Sequence, residues 1–301
     1  MESVPLPLAN PLIPIQASDC SQAIHRAPAE RLDAPAPLRL WHLTSLDAPT
    51  VAVVWSLAFA WAAGAHLPLW VPVLLALGTW SVYIGDRTLD AHSALRAGNT
   101  EALRDRHFFH WRHRRALLPV AAIAAAAAAC IIFKLMPALV RERDSIVGAA
   151  ALAYFSGVHA PRRPRWIAPL LTKEFFVGTI FTAGCIVPAL TRCAAAALWP
   201  TLLTAGFFAA VAWLNCHAIE RWESGAPQRI QRAGVVIASA GLLLALVLAP
   251  SHVRSAWLVV AASLAALLLA LLDRRRQRLT PMALRACADL VLLTPLVLLM
   301  R

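Results

Sequence analysis

The sequence predicts an all-α, polytopic membrane protein built as a bundle of nine transmembrane helices. Of its 301 residues, 59% are hydrophobic and only 15% are charged, whereas a soluble domain is usually about half apolar and a quarter charged. The apolar residues fall in runs of about 20, the length that an α-helix needs to cross a bilayer. Arginines flank these runs, so the net charge of +12 indicates membrane helices and not a nucleic-acid partner.

A tail and nine apolar runs divide the chain. Residues 1–45 are rich in proline and alanine and lack a continuous apolar core, so we expect a flexible cytoplasmic tail with a surface-lying piece at 38–41. Residues 46–301 form the predicted membrane domain. Its expected helices cover residues 48–66, 68–85, 116–137, 145–160, 167–190, 195–218, 232–250, 254–272 and 282–300.

The arginines separate between the two sides of the membrane that this helix count predicts. The side of the N-terminus carries most of them, and the other side has only Arg141, Arg143, Arg192, Arg254 and Arg301. Loops rich in Lys and Arg face the cytoplasm, and one missed or added helix would destroy the separation. We therefore expect an integral protein of a bacterial inner (plasma) membrane, with its N-terminus in the cytoplasm and its C-terminus outside.

An acidic pair, Asp86 and Asp90, follows the second predicted helix, and this segment can continue helically to Arg96 until Gly98 breaks it. Residues four apart share one face of a helix, and carboxylates at the mouth of a membrane helix are unfavourable unless they pair or bind a cation. One interpretation is a magnesium site that in turn binds phosphate oxygens. The alternative is an ordinary helix end, where Asp86 pairs with Arg87 or with an arginine of another segment.

A second acidic turn, which contains Glu220 and Glu223, ends the sixth predicted helix on the same side of the membrane. Asn215 lies about one turn deeper in that helix, and Arg221 stands between the two glutamates. Two acidic helix ends on one side could together hold two cations and a diphosphate. The alternative is solvated charge in a cytoplasmic loop.

Two further features could serve a phosphate or metal site. Lys173 lies just inside the fifth predicted helix, where charged residues usually mark function; it could cap a phosphate, snorkel to the interface or pair with a neighbour. His107, His110 and His113 have a spacing that a metal could use. The interleaved arginines and aromatic residues favour instead an amphipathic surface helix over residues 106–115.

Two motifs and their positions resemble those of a known family. Residues 86–90 read D-R-T-L-D and residues 220–223 read E-R-W-E, and they follow the second and sixth predicted helices. The chain in this respect resembles the UbiA superfamily of intramembrane prenyltransferases, whose first motif contains D-R-x-x-D and whose second often contains D-R-x-D. Val82 and Tyr83 stand where the family has Asn-Asp. Residues 154–188 look like the family's fourth-to-fifth helix region.

The resemblance implies a nine-helix bundle of UbiA type that transfers a polyprenyl group from its diphosphate to a hydrophobic, often aromatic, acceptor. It implies Mg²⁺ as the cofactor, bound by Asp86, Asp90, Glu220 and Glu223. It implies diphosphate contacts from Arg87, Lys173, Arg221, Asn215 and Tyr154, and catalytic roles for Asp86, Asp90 and Lys173. Two other functions stay open: a bundle of this type that binds an isoprenoid lipid or a partner protein without catalysis, and a small-solute transporter.

Overall fold

The computed structural model describes residues 31–96, 98, 103–142, 144–145, 148–149, 173–224 and 230–300. Over these residues the chain is helical, and the only strand-like pairing there is one isolated bridge between Leu32 and Leu279. The all-α prediction is therefore confirmed for the described part of the chain. The tail up to residue 30, most of the expected helix at 145–160 and Tyr154 lie outside the described residues.

Ten α-helices and one short 3₁₀ helix are described. In chain order they are α1 (Ala36–Leu43), α2 (Asp47–Ala63), α3 (Trp70–Arg96), α4 (Asp105–Lys134), α5 (Lys173–Leu190), α6 (Ala195–Ser224), α7 (Ile230–Leu248), α8 (Val253–Arg275), the 3₁₀ helix (Arg276–Arg278), α9 (Pro281–Val291) and α10 (Leu296–Leu299). Nine of these α-helices, α2 to α10, overlap the helices expected from the apolar runs, and α9 and α10 both lie in the last of them.

Several helix ends follow from local sequence. Helix α2 ends at Gly64, whose left-handed φ of 66° suits a glycine C-cap and whose N–H donates to the carbonyls of Ala60 and Trp61. Helix α3 continues past the predicted end of the apolar run to Arg96, and Gly98 then adopts a φ of 68°. The break expected at Gly98 is therefore confirmed, together with the helical continuation of the acidic segment.

Two elements differ from the prediction. The basic segment 106–115 is not a separate surface helix but the first part of α4, which continues without a break into the apolar run and includes Pro119. The Arg104 N–H donates to His107 Nδ1 at 3.0 Å and caps this start. The last expected helix is interrupted at residues 292–295, between α9 and α10, where Pro295 cannot donate a backbone hydrogen bond.

Five helical segments among the described residues are long and apolar enough to cross a membrane. They are α4, α6, α7, α8 with its 3₁₀ extension, and the segment Pro281–Leu299 that contains α9 and α10. A sixth is added if α1 and α2, which meet at an angle of 89°, are counted as one bent span. Because α3 and α5 are not among them, the count of nine spanning helices stays a prediction.

The apolar core forms where α2, α6 and α8 meet. Trp55 stacks on Phe208 with ring centroids 3.7 Å apart, and Phe59 meets the edge of the same ring. The Trp55 indole N–H donates to the carbonyl of Leu292 at 2.8 Å, which ties α2 to the end of α9. This arrangement satisfies the polar atom of a fully buried aromatic side chain.

Helices α7 and α8 pack with their backbones close together. A Cβ added at Gly234 would lie 2.9 Å from the carbonyl oxygen of Ala266, and one added at Gly241 would overlap Ser263 Oγ and the Phe207 ring. Small residues permit such close approach between membrane helices. These two glycines therefore set the spacing of α7 and α8.

Candidate functional site

The corner between α1 and α2 buries polar side chains at one end of the bundle. The chain turns by 89° through Ser45, which adopts a left-handed φ of 59° although it is not glycine. His42 from α1, Ser45 itself and Asp47 from α2 are all at most 2% exposed. Non-glycine residues in this conformation persist only where the surroundings hold them, so the contacts around Ser45 matter.

Arg87 from α3 fills the inside of this corner. Its Nη1 donates to Ser45 Oγ at 2.7 Å and to the His42 carbonyl at 3.2 Å, and its Nη2 lies 3.5 Å from Asp47 Oδ2. The guanidinium is only 4% exposed. A buried charge is stable only when it is paired and hydrogen-bonded, so Arg87 and the corner depend on each other.

His110 from α4 completes the contacts of Ser45. Its Nδ1 lies 2.7 Å from the Arg106 carbonyl, and its Nε2 lies 3.0 Å from Ser45 Oγ. A carbonyl can only accept, so Nδ1 carries the proton, and in the neutral ring Nε2 accepts from the Ser45 hydroxyl. The hydroxyl thus accepts from Arg87 and donates to His110, which fixes its orientation.

Asp289 from α9 and Asn215 from α6 extend the network across the bundle. His42 Nδ1 lies 2.6 Å from Asp47 Oδ2 and 3.6 Å from Asp289 Oδ2. Asn215 Nδ2 donates to Asp289 Oδ1 at 3.3 Å. These contacts join side chains from α1, α2, α3, α4, α6 and α9 and from the turn between α1 and α2. We define the polar cluster as His42, Ser45, Asp47, Arg87, His110, Asn215 and Asp289.

Three arginines surround Glu223 at the end of α6. Arg285 Nη1 lies 2.6 Å and Arg106 Nη1 3.1 Å from Glu223 Oε1, and Arg104 Nε lies 3.7 Å from Oε2. We call this group the arginine clamp. It joins the ends of α4, α6 and α9 and leaves an excess of two positive charges around one carboxylate.

The sequence-predicted site residues are distributed around these two groups. Asp86 and Asp90 are partly buried on α3, on either side of Arg87, while Glu220 and Arg221 are exposed on α6. Lys173 is the first residue of α5. Their assigned roles stay predictions, as does the role of Tyr154, which the structure does not describe.

Two predicted substrate-binding residues belong to the polar cluster instead of lining an open surface. Arg87 is held by the α1–α2 corner and Asn215 by Asp289. Glu223, a predicted metal ligand, is held by the arginine clamp. A direct contact between any of the three and a ligand would require that these bonds open or rearrange.

The metal-ligand type side chains that lie together within the described residues are different ones. The His42, Asp47 and Asp289 ligand atoms all lie within 4.8 Å of one another, and none of these residues was predicted from sequence as a ligand. Asp289 offered a signal, because a charged residue inside an apolar run is usually functional. His42 and Asp47 offered no such signal, since both precede the first predicted helix at 48–66.

Comparison of the chain with protein-family models, with curated proteins and with solved structures gives no match. The resemblance to the UbiA superfamily therefore stays an expectation from the motifs. What the structure provides is one end of a helical bundle where carboxylates, arginines and histidines converge above an apolar interior. Such an arrangement can bind an anionic head group whose apolar part lies between the helices.

Proposed function

We propose that this protein is a membrane prenyltransferase that moves a polyprenyl group from its diphosphate to a hydrophobic, often aromatic, acceptor. The proposal is supported best by the way α3 and α6 share one polar cluster. Arg87 on α3 and Asn215 on α6 both belong to it, so the helix ends that carry the two acidic motifs lie at the same end of the bundle. A diphosphate that binds both acidic motifs through metal ions needs the two motifs at the same end of the bundle.

The donors on α3 suit a magnesium ion. Mg²⁺ prefers a few hard oxygen ligands and keeps several waters. Asp86 and Asp90 are partly buried and have carboxylate oxygens one helical turn apart, which fits this preference. On α6 the fit is weaker, because Glu220 is exposed and Glu223 is held by the arginine clamp. When bound, Mg²⁺ supplies positive charge that stabilises the diphosphate as a leaving group.

The chain's own side chains account for the other requirements of the reaction. In this proposal Arg104, Arg106 and Arg285 provide positive charge where negative charge develops on the leaving oxygen. The bond between the first prenyl carbon and that oxygen breaks with its electrons on the diphosphate, and the acceptor forms the new bond and releases a proton. The apolar helices exclude water from the prenyl group during this step.

The proposed orientation puts this polar end on the cytoplasmic side of a bacterial inner membrane, where the charged diphosphate head of a prenyl donor is hydrated. The segregation of arginines along the sequence supports it. The N-terminus would then be cytoplasmic and the C-terminus outside. An accessibility test with single cysteines at exposed positions 69 and 274 would show them on opposite sides of the membrane.

The proposal is tested by activity of the purified full chain with Mg²⁺, labelled prenyl diphosphates of several lengths and a membrane lipid extract as acceptor pool. Asp86→Asn and Asp90→Asn are expected to lower product formation at least tenfold, because each removes one of the ligand charges. Asp33→Asn, an exposed change outside the acidic motifs, is the matched control. Undiminished transfer by both α3 variants would refute the magnesium assignment.

The arginine clamp favours a second candidate function, binding of an isoprenoid lipid without transfer. Three arginines around Glu223 can attract an anionic head group without any metal ion. In that case prenyl diphosphate would bind in the presence of a chelator, and no inorganic diphosphate would be released. Release of diphosphate with formation of a prenylated product would exclude this candidate.

A further inference from the structure

The polar cluster contains a set of metal-ligand side chains that the proposed transfer reaction does not use. They are His42 Nδ1, Asp47 Oδ2 and Asp289 Oδ2, which lie within 4.8 Å of one another. They come from α1, α2 and α9, whereas the carboxylates assigned to magnesium lie on α3 and α6. An inference about this set therefore stands apart from the proposed function.

The distances within the set match those between ligands of one ion. His42 Nδ1 lies 2.6 Å from Asp47 Oδ2 and 3.6 Å from Asp289 Oδ2. Nitrogen and oxygen ligands that share an ion at about 2.1 Å are about 3 Å apart. The shorter distance is a hydrogen bond that Nδ1 donates, so a coordination shell forms by loss of that proton together with small movements of the three side chains.

Asn215 supplies an independent indication of a missing partner. It is 5% exposed, and its Oδ1 has no hydrogen-bond partner among the described residues, although its Nδ2 donates to Asp289 Oδ1 at 3.3 Å. Half a turn of the amide exchanges the two atoms and points Oδ1 at Asp289. In that orientation Oδ1 would coordinate a cation held by Asp289, in place of the hydrogen bond that Nδ2 now donates.

The local charge also calls for one more positive group. Asp47 and Asp289 bring two negative charges, and Arg87, whose Nη2 lies 3.5 Å from Asp47 Oδ2, brings one positive charge. Buried charges are stable only when they are balanced. A proton on His42 brings the sum of these charges to zero, and a divalent ion in its place turns the single negative excess into a single positive one. Entry is possible at Asp289, whose side chain is 18% exposed while those of His42 and Asp47 are at most 2% exposed.

We propose that His42, Asp47, Asp289 and Asn215 bind one divalent transition-metal ion, of the Zn²⁺ or Mn²⁺ class, which fastens the α1–α2 corner to α6 and α9. One imidazole nitrogen with three oxygens suits such an ion, whereas Mg²⁺ prefers oxygen ligands and water. His42, Asp47 and Asp289 have no role in the proposed transfer, so loss of this ion through Asp289→Asn is separable from loss of the transfer site.

The test measures metal content of the full chain, purified in detergent through a tag without histidines. Protein is equilibrated with Zn²⁺ in excess Mg²⁺, which keeps the proposed magnesium site filled, then passed over a sizing column and analysed by plasma mass spectrometry. Wild type is expected to retain one ion per chain, and Asp289→Asn at least tenfold less at the same free metal concentration. Asp86→Asn, which changes the proposed magnesium site, is the matched control and is expected to retain the ion.

A second variant guards against misfolding of the first. Asn215→Leu keeps the branching at Cγ, removes the unsatisfied amide, and is expected to fold while it binds Zn²⁺ several-fold more weakly. Bound Co²⁺ should show in wild type the visible absorption of a site with nitrogen and oxygen ligands, and this absorption should be absent from Asp289→Asn. Equal metal content in wild type and both variants, or none in wild type, would overturn the proposal and assign the balancing charge to a proton on His42.

Discussion

Replacement of Arg87 by methionine is expected to destabilise the protein more than any other single change at the α1–α2 corner. The substitution removes the donors to Ser45 Oγ and to the His42 carbonyl, and it removes the guanidinium beside Asp47. Breaking one side of a buried ion pair usually raises the free energy of the folded state by about 3–5 kcal/mol. Because His42 still contacts Asp47 at 2.6 Å, we expect the lower end, about 3 kcal/mol.

A double-mutant cycle separates the ion pair from the loss of packing. Free energies of unfolding are measured in mixed micelles for Arg87→Met, Asp47→Asn and the double variant, with Arg274→Met as an exposed arginine control expected within about 0.5 kcal/mol of wild type. The coupling energy between residues 87 and 47 is expected to be about 2 kcal/mol. A coupling below about 0.5 kcal/mol, or a loss of less than about 1 kcal/mol in Arg87→Met, would refute the reasoning.

Three further predictions concern packing and the arginine clamp. Gly241→Leu is expected to separate α7 from α8 and to lower the melting temperature. Gly78→Leu is the control and should fold as wild type, because an added Cβ there meets no atom within 4 Å. Equal melting temperatures for the two variants would contradict this prediction. Glu223→Gln should lower the free energy of unfolding by about 2 kcal/mol because two closely paired arginines lose their partner, and exposed Glu220→Gln is its control in the same denaturant titration. Trp55→Phe should lose about 1 kcal/mol with the hydrogen bond to the end of α9, and an unchanged unfolding midpoint would argue against that bond.

Local sequence was enough to predict much of the helical layout. The continuation of α3 to Arg96 and its end near Gly98 were predicted from the absence of a breaker and the presence of glycine. The start of α4 was not predicted, because the change from basic to apolar residues suggested two separate segments. In the structure one helix continues through both. The interruption before Pro295 was missed for the opposite reason, since the residues on either side are uniformly apolar.

The polar cluster could not be predicted because its members are distant in sequence. Asp47 and Asp289 lie more than 200 residues apart and meet only after α2 and α9 have packed on α6. Arg87 was predicted as a substrate contact from its place in a motif. The structure shows that its guanidinium is enclosed by the α1–α2 corner, which the motif alone does not indicate. The acidic motifs themselves were identified from the sequence, and their proposed role in magnesium binding is what the activity test measures.

The α1–α2 corner has a consequence for how the chain is assembled during synthesis. Its polar groups are made first, Arg87 is added when α3 emerges, and Asp289 joins only when the final helical segment is complete. Until then His42 and Asp47 lie in a half-built bundle with incomplete partners, a state that membrane chaperones and proteases can recognise. Chains truncated before α9 should therefore be degraded faster than the full sequence, because His42 and Asp47 lack the partner that Asp289 supplies.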